Sequence, residues 1–283
     1  MPVLYGNRSK ILTSLIAMSK VCAEFSYVRP TLTRDKVIRI ERGRHPLHAL
    51  TCDHFVPNDA ESSRGAGYVK ILTGPNSSGK SVYMKQIALI VYLAHVGSFV
   101  PAAAATVGVL SHVHTRIQAA ECVAAHMSAF LIDLRQMSLA LQESTSNSLI
   151  IVDEFGKGTS EVDGLSLLAA CLNTLLFRGE DCPHVYLSTH LLNIKEFIID
   201  TPIVKFLDGE PVFLFRLASG SAGSSFALEV ARASGIEGRS VQRAREVLAA
   251  LTNNTLPKED KKVMAKLTSF IEIVKADLLS EDI

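Results

Sequence analysis

Gly74, Gly79, Lys80 and Ser81 are spaced to hold a chain of phosphates. The run Gly74-Pro75-Asn76-Ser77-Ser78-Gly79-Lys80-Ser81 satisfies the pattern G-x-x-x-x-G-K-S/T. A glycine-tolerant turn of this kind exposes backbone N–H groups, and the helix it opens turns a positive end toward an anion. Lys80 supplies a point charge for β- and γ-phosphates, and the Ser81 hydroxyl can ligate Mg²⁺. The plainer alternative is a Gly/Ser turn with a surface lysine. The flanks speak against it: Tyr68-Val69-Lys70-Ile71-Leu72 reads as a strand delivering the chain, and a helix-forming run follows Ser81.

A second group completes the chemistry. Leu149-Ile150-Ile151-Val152 is an apolar run suited to a central strand, and it ends in Asp153-Glu154. Asp153 at the strand tip can hold Mg²⁺, usually through its water, and Glu154 is placed to polarise a water for in-line attack. Such positioning contributes roughly 10²–10⁴-fold in rate. His190 follows the next strand and Ser188-Thr189, where an imidazole can meet a γ-phosphate or the attacking water. Alone, an Asp-Glu pair could open a helix, and a single histidine is usually structural. Downstream of a phosphate loop, both gain a role at an ATP site.

The elements that must carry these residues alternate. Residues 8–27 predict a helix closed by Pro30, and Lys36–Glu41 a half-exposed strand. Residues 58–67 read as a polar loop. Helices are expected at 81–96, 123–142 and 163–177, and strands at 149–152, 184–188, 202–207 and 212–217. Strands alternating with helices give an α/β fold with a mixed, mostly parallel sheet. Residues 227–251 predict two helices separated by Ser234-Gly235-Ile236-Glu237-Gly238, and 261–279 a final amphipathic helix.

Composition narrows the classes. The 283 residues are 48% hydrophobic with a formal charge of +1, so a large core is affordable and no global basic field advertises nucleic acid. Five cysteines without a C-x-x-C pair suit reduced thiols and argue against a zinc site or disulfide scaffold. Residues 86–115 hold no Asp, Glu, Lys or Arg, yet Gly97, Pro101 and three histidines interrupt them. A helix wrapped by a sheet explains them better than a membrane span, and no signal peptide is expected.

Taken together, the phosphate loop, Asp153-Glu154-Phe155-Gly156-Lys157-Gly158-Thr159-Ser160 with Asp163-Gly164, and Ser188-Thr189-His190 resemble the ATPase domain of the MutS family of DNA mismatch-repair and recombination proteins. Tyr27-Val28-Arg29-Pro30, Gly43-Arg44-His45-Pro46, Gly97-Ser98-Phe99-Val100-Pro101 and Thr115-Arg116-Ile117 extend the likeness in the same order over about residues 17–251. Ser77-Ser78 and Phe155-Gly156-Lys157 replace the commoner Met-Gly and Leu-Gly-Arg, and resemble the meiotic, homologue-five branch.

The resemblance implies a P-loop ATPase of the ATP-binding-cassette type, working as a composite dimer with ATP and Mg²⁺. Ser128 matches the serine that reaches into the partner's nucleotide, with Ala129 where threonine is usual. Thr159 and Ser160 belong to the loop that crosses the dimer interface. Phe55 and Val56 match the adenine-contacting pair, and Phe215 stands where another adenine-facing side chain falls. Val82 replaces the usual threonine and removes a hydroxyl near the α-phosphate, worth roughly 0.5–1.5 kcal/mol. Residues 1–35 would be the remnant of a preceding helical lever or core domain, 36–225 the ATPase domain, and 226–283 a helix-turn-helix-like dimerisation element with a C-terminal helix. Arg239, Arg243 and Arg245 suit base reading, but the resemblance favours dimerisation. The mismatch-binding, connector and lever regions are expected to lie before this chain, so its own DNA contact should be weak.

The expected function is an ATP-hydrolysing, DNA-dependent clamp subunit on duplex or junction DNA during meiotic recombination. Its partner would be a second MutS homologue, number four of the meiotic pair, in the nucleus on chromosomes and without a membrane. The alternatives are a nucleotide-binding dimerisation scaffold with little turnover and a mismatch-repair MutS homologue. A transporter ATPase fits poorly, because the Leu-Ser-Gly-Gly signature is missing.

Overall fold

Buried along their whole length, Val69–Leu72, Ser148–Asp153 and His184–Ser188 must be interior strands, and the fold is laid out around them. The computed structural model describes residues 2–75, 77–117, 128–191, 193–194, 200–207, 210–219, 226–253 and 255. In chain order the elements are α1 (Pro2–Glu24), β1 (Thr31–Thr33), β2 (Ile38–Gly43), α2 (His48–Thr51), β3 (Asn58–Ser62), β4 (Val69–Leu72), α3 (Lys80–His95), β5 (Ala104–Gly108) and β6 (His112–Arg116). Then follow α4 (Ala129–Glu143), β7 (Ser148–Asp153), α5 (Glu161–Leu176), β8 (His184–Ser188), β9 (Asp200–Leu207), β10 (Glu210–Ser219), α6 (Ala227–Ala233) and α7 (Gly238–Thr252). The chain divides into two compact units, Met1–Phe226 and Ala227–Ile283.

The first unit holds two sheets. One has six strands in the order β10-β9-β4-β8-β7-β6. Strands β9, β4, β8, β7 and β6 run parallel, and β10 folds back antiparallel on β9. The mixed, mostly parallel sheet expected from the sequence is therefore present. The other sheet has four strands in the order β1-β5-β2-β3.

The period of two along each strand sends alternate side chains to opposite faces of the six-stranded sheet. Leu72, Leu149, Ile151 and Tyr186 pack in one cluster with Met84, Ile87, Ile90 and Val91 of α3 and with Ile38 and Ile40 of the smaller sheet. Ile71, Ile150, Val152, Val185 and Leu187 pack in the other with Met137 and Ala140 of α4 and Leu168, Leu172 and Leu175 of α5. Cover on both faces explains why these strands read as unbroken apolar runs. It also accounts for much of the apolar stretch 86–115, half of which is α3 and β5. Among the described residues no helix is long and apolar enough to cross a membrane.

One expectation fails. Residues 58–67 are not all loop: Asn58–Ser62 form β3, antiparallel to β2, with Ile38 opposite Ser62 and Ile40 opposite Ala60. On this edge strand only Ala60 and Ser62 are buried, so the inward residues are too small or polar to show a hydrophobic alternation. β6, at the edge of the larger sheet, escapes notice for the same reason, with His112 and His114 in place of apolar residues.

In the second unit α6 and α7 flank a turn in which Gly235 takes a φ of 89°. The Arg245 guanidinium lies 3.7 Å from the Glu229 carboxylate. The helix expected at 261–279 lies outside the described residues.

Candidate nucleotide site

Strand register brings the chemistry together. Leu72 and Asp153 both pair with Ser188, so the leaving ends of β4, β8 and β7 stand side by side. After β4 the chain turns through Gly74, Ser77 and Gly79, all at positive φ (150°, 62° and 96°), and enters α3 at Lys80. Left-handed residues at Ser77 and Gly79 turn backbone N–H groups to one side, as an anion cradle requires. Asn76 lies outside the described residues.

The Lys80 side chain is buried and donates to the carbonyls of Gly74 and Pro75, both at 2.8 Å. Burial pulls its pKa down to about 8, against the pull of Glu154 and Asp153 nearby. The ammonium is thus stored on its own loop, with dipoles for partners. The Ser78 hydroxyl is buried beside it and meets no hydrogen-bond partner among the described residues.

Ser81 Oγ and Asp153 Oδ1 are 3.1 Å apart, and Ser188 Oγ donates to the same Asp153 oxygen at 2.6 Å. The next residue, Glu154, has a positive φ of 56° and is fixed through its N–H by Ser188, whose carbonyl lies at 3.1 Å and whose Oγ lies at 3.2 Å. Its side chain meets His190 Nε2 at 2.5 Å on one oxygen and Lys157 Nζ on the other. The hydrogen bond from His190 is the main cause of a Glu154 pKa lowered to about 2, with that from Lys157 adding to it against the effect of burial. A carboxylate held so firmly ionised orients a water better than it takes a proton from one.

A pocket of about 210 Å³ opens beside the loop. Ser77, Ser78, Gly79, Lys80 and Val82 line it together with Phe55, Val56 and Phe215. The Phe215 ring covers Gly79: a Cβ added there would sit 3.5 Å from the ring. Phe215 itself has a left-handed φ of 51° where the β9–β10 register slips between Phe213 and Leu217, a strained conformation for an aromatic residue.

Ser128, Thr159 and Ser160 lie elsewhere. Ser128 caps α4, its Oγ accepting from Leu131 N at 3.2 Å, and is exposed. Ser160 caps α5 by accepting from Asp163 N at 3.2 Å. The loop between Glu154 and α5 is pressed together by glycine: a Cβ on Gly156 would meet Gly164 Cα at 2.9 Å, and one on Gly158 would meet Phe130 Cβ at 2.8 Å. The second contact sets Gly158 against Phe130, so the loop that carries Thr159 and Ser160 adjoins the start of α4, which Ser128 caps.

A family model for MutS domain V matches residues 70–252. The chain belongs to the MutS family. MutS protein homolog 5 of Caenorhabditis elegans is 39% identical over 279 residues, 93% of this chain and 20% of that protein. The DNA mismatch repair protein MutS of Rhodopirellula baltica is 39% identical over 250 residues, 85% of this chain and 28% of the relative. That of Salinibacter ruber is 38% identical over 258 residues, 87% of this chain and 28% of the relative. The chain therefore spans well under half the length of these relatives.

Within this MutS domain several residues that the sequence marks only as parts of motifs take roles it did not foretell. Ser188 joins Asp153 to the Glu154 N–H, a role set by strand register. Lys157 takes the second Glu154 oxygen. Arg116, buried at the end of β6, donates to the Asp153 carbonyl and pairs with the buried Asp133 of α4. Only Lys157 sits close enough in sequence to Glu154 for its pairing to be anticipated. The donor set suits a magnesium nucleotide: a buried ammonium held by two backbone carbonyls, and hard oxygens of Ser81 and Asp153 close enough to share one cation.

Proposed function

We propose that this chain is the ATP-binding and hydrolysing part of a MutS-type dimer that closes on DNA, acting on meiotic recombination intermediates to promote crossing over. The observation that carries the reading is the continuous contact from Ser81, next to Lys80, through Asp153 and Ser188 to Glu154 and His190. Lys80 would meet the β- and γ-phosphates, with the loop N–H groups from Gly74 to Ser81 around them. Ser81 and Asp153 would hold Mg²⁺, which when bound neutralises phosphate charge. Glu154 would orient the attacking water, and His190 and Lys157 keep it ionised and aimed. Phe55, Val56 and Phe215 would enclose adenine.

The approach of the Thr159 and Ser160 loop to the helix that Ser128 caps supports a second role, completing the nucleotide site of a partner subunit. The α6–α7 pair would add dimer contacts. The partner is a second MutS homologue, homologue four of the meiotic pair, and the location is the nucleus, on chromosomes. The likeness to MutS protein homolog 5 supports the meiotic assignment. Duplex or junction DNA would be held mostly by regions outside this chain.

The test is steady-state ATP hydrolysis against protein concentration, alone and with the partner. Specific activity that rises with concentration, or jumps with the partner, supports a site completed in trans. An unchanged ATP-dependent dimerisation in Lys80→Ala would sink the reading.

A scaffold with little turnover is the alternative, favoured by a Glu154 whose two oxygens are already taken and by Val82 in place of a hydroxyl residue. Equal single-turnover rates in the parent and Glu154→Gln would select it. The bacterial mismatch-repair relatives favour a mismatch-repair role instead; tighter binding of the dimer to mispaired duplex than to a junction would select that.

A further inference from the structure

Asn58 stands where the two sheets meet at the base end of the pocket, and its side chain holds three backbone groups. Nδ2 donates to the Phe215 carbonyl at 2.7 Å and to the Val56 carbonyl at 3.2 Å. Oδ1 accepts from Leu217 N at 3.0 Å. Two carbonyls on one side and an N–H on the other allow the amide only one orientation.

These partners are not scattered. Val56 precedes β3, Phe215 lies within the slip in β10 and Leu217 at its end, and all three line the pocket. At this slip the Asn58 side chain meets both the Phe215 carbonyl and the Leu217 N–H. The left-handed φ of Phe215 that lays its ring over Gly79 is therefore held by a side chain from the other sheet. The mount is firm. The Asn58 carbonyl accepts from Gln86 of α3 at 3.5 Å, and the next carbonyl, that of Asp59, accepts from the Tyr83 hydroxyl at 2.9 Å. Gly43 opposite Asn58 leaves room, since a Cβ there would lie 2.6 Å from Gln86 Nε2. The helix that starts at the phosphate loop is thereby tied to the residue that shapes the base end.

We propose that Asn58 is the positioning residue of the nucleobase pocket, clamping Phe215 and Val56 as the walls between which a purine is received. The proposal rests on the reading of this pocket as an ATP site. Asn58 need not touch the nucleotide; it sets the spacing of the groups that do. It follows that Asn58 governs the affinity contributed by the base and leaves that contributed by the phosphates alone.

The experiment compares Mg²⁺-ATP and inorganic tripolyphosphate, in the presence of Mg²⁺, as ligands of the parent, Asn58→Ala and Asn58→Asp. Loss of two or three hydrogen bonds predicts a fall of about tenfold or more in ATP affinity for N58A, with tripolyphosphate affinity unchanged. N58D has nearly the same shape but opposes a carboxylate to two carbonyls, so it too should lose ATP and keep tripolyphosphate. Parent-like ATP affinity in either variant overturns the proposal and leaves the ATP site standing. Equal loss of both ligands overturns it as well, because Asn58 would then support the whole fold rather than the base end. A parent that binds tripolyphosphate but gains nothing from the adenosine of ATP refutes the reading of the pocket itself, and the proposal with it.

Discussion

Two lysines rest on backbone carbonyls at opposite ends of the six-stranded sheet: Lys36, half-buried under an aromatic ring, and Lys80, buried but beside an open pocket. At the entering ends of β4 and β8, Lys36 donates to the Glu180 carbonyl at 2.7 Å and to the Cys182 carbonyl, and the Tyr68 ring covers it at 3.6 Å. At the leaving end of β4, Lys80 donates to two carbonyls in the same manner, yet it borders the open pocket. The histidines at the two ends of β8 repeat the contrast. His184 is buried and bound to Ser62 at 2.6 Å, whereas His190 is part exposed and bound to Glu154. Similar chemistry is tied into the fold at one end and set beside a pocket at the other. The entering end is built as a clasp, the leaving end as a receptor, and each prediction below either breaks or sharpens that division.

The largest effect belongs to the receptor end. Glu154→Gln should lower single-turnover ATP hydrolysis by roughly 10²–10⁴-fold while ATP still binds, because the amide cannot hold a water as the carboxylate does. No change at the clasp should touch this rate. A Lys36→Met protein with the same kinetic loss would show that the ends are not independent.

The receptor end was also the more legible in the sequence. Gly74 to Ser81 and Asp153-Glu154 are contiguous because a turn and a strand tip must present several groups at once, so their spacing is local. Ser188 and Asn58 act across strand register, with partners 35 and 157–159 positions away; the Ser188-Thr189-His190 motif flags Ser188 without its role, and nothing in the neighbouring sequence points to Asn58. The fold divides similarly. β4, β7 and β8 are covered on both faces and read as apolar runs, whereas β3 and β6 lie at sheet edges with polar residues and leave no such trace. The clasp itself joins Lys36, Tyr68 and Cys182 from three separate segments and could not be read in advance.

Next in size is an acid effect at the clasp. Burial, with Lys36 nearby, pushes the His184 pKa from 6.5 to about 4. The unfolded chain therefore binds a proton that the folded one refuses between these values. Stability is complete above about pH 6.5 and falls as the pH drops toward 4, by up to about 3 kcal/mol. Urea unfolding at pH 7 and pH 5 should show His184→Asn losing less than the parent over this interval. His45 is also lowered to about 4 and titrates in the same window, so the difference between the two proteins is the quantity to compare. Parallel losses would mean that His184 is protonated without penalty, and its burial at the entering end would carry no cost.

Lys80→Ala returns to the receptor end. It removes a charged donor to phosphate, worth about 1.5–3 kcal/mol, so ATP affinity should fall by roughly ten- to a hundredfold by calorimetry. The protein should stay folded, because Lys80 has only its own loop to hold. Unaltered affinity would mean that the ammonium remains on the Gly74 and Pro75 carbonyls when ATP is present, and the likeness between the two lysines would then be complete.

The smallest effect is the most informative about the clasp. Lys36→Met keeps an unbranched stem over the Tyr68 ring and removes only the charge and its two hydrogen bonds. A cation–π contact at a part-exposed site is worth about 0.5–1 kcal/mol, and the bonds to Glu180 and Cys182 add a comparable amount. A loss of about 1–2 kcal/mol in urea unfolding is expected, with ATP affinity and turnover as in the parent. Because Lys36 helps hold the His184 pKa down, the same substitution should also let that pKa rise and soften the acid loss. Destabilisation without that softening would make the lysine a fastener alone, and the histidine's low pKa a matter of burial.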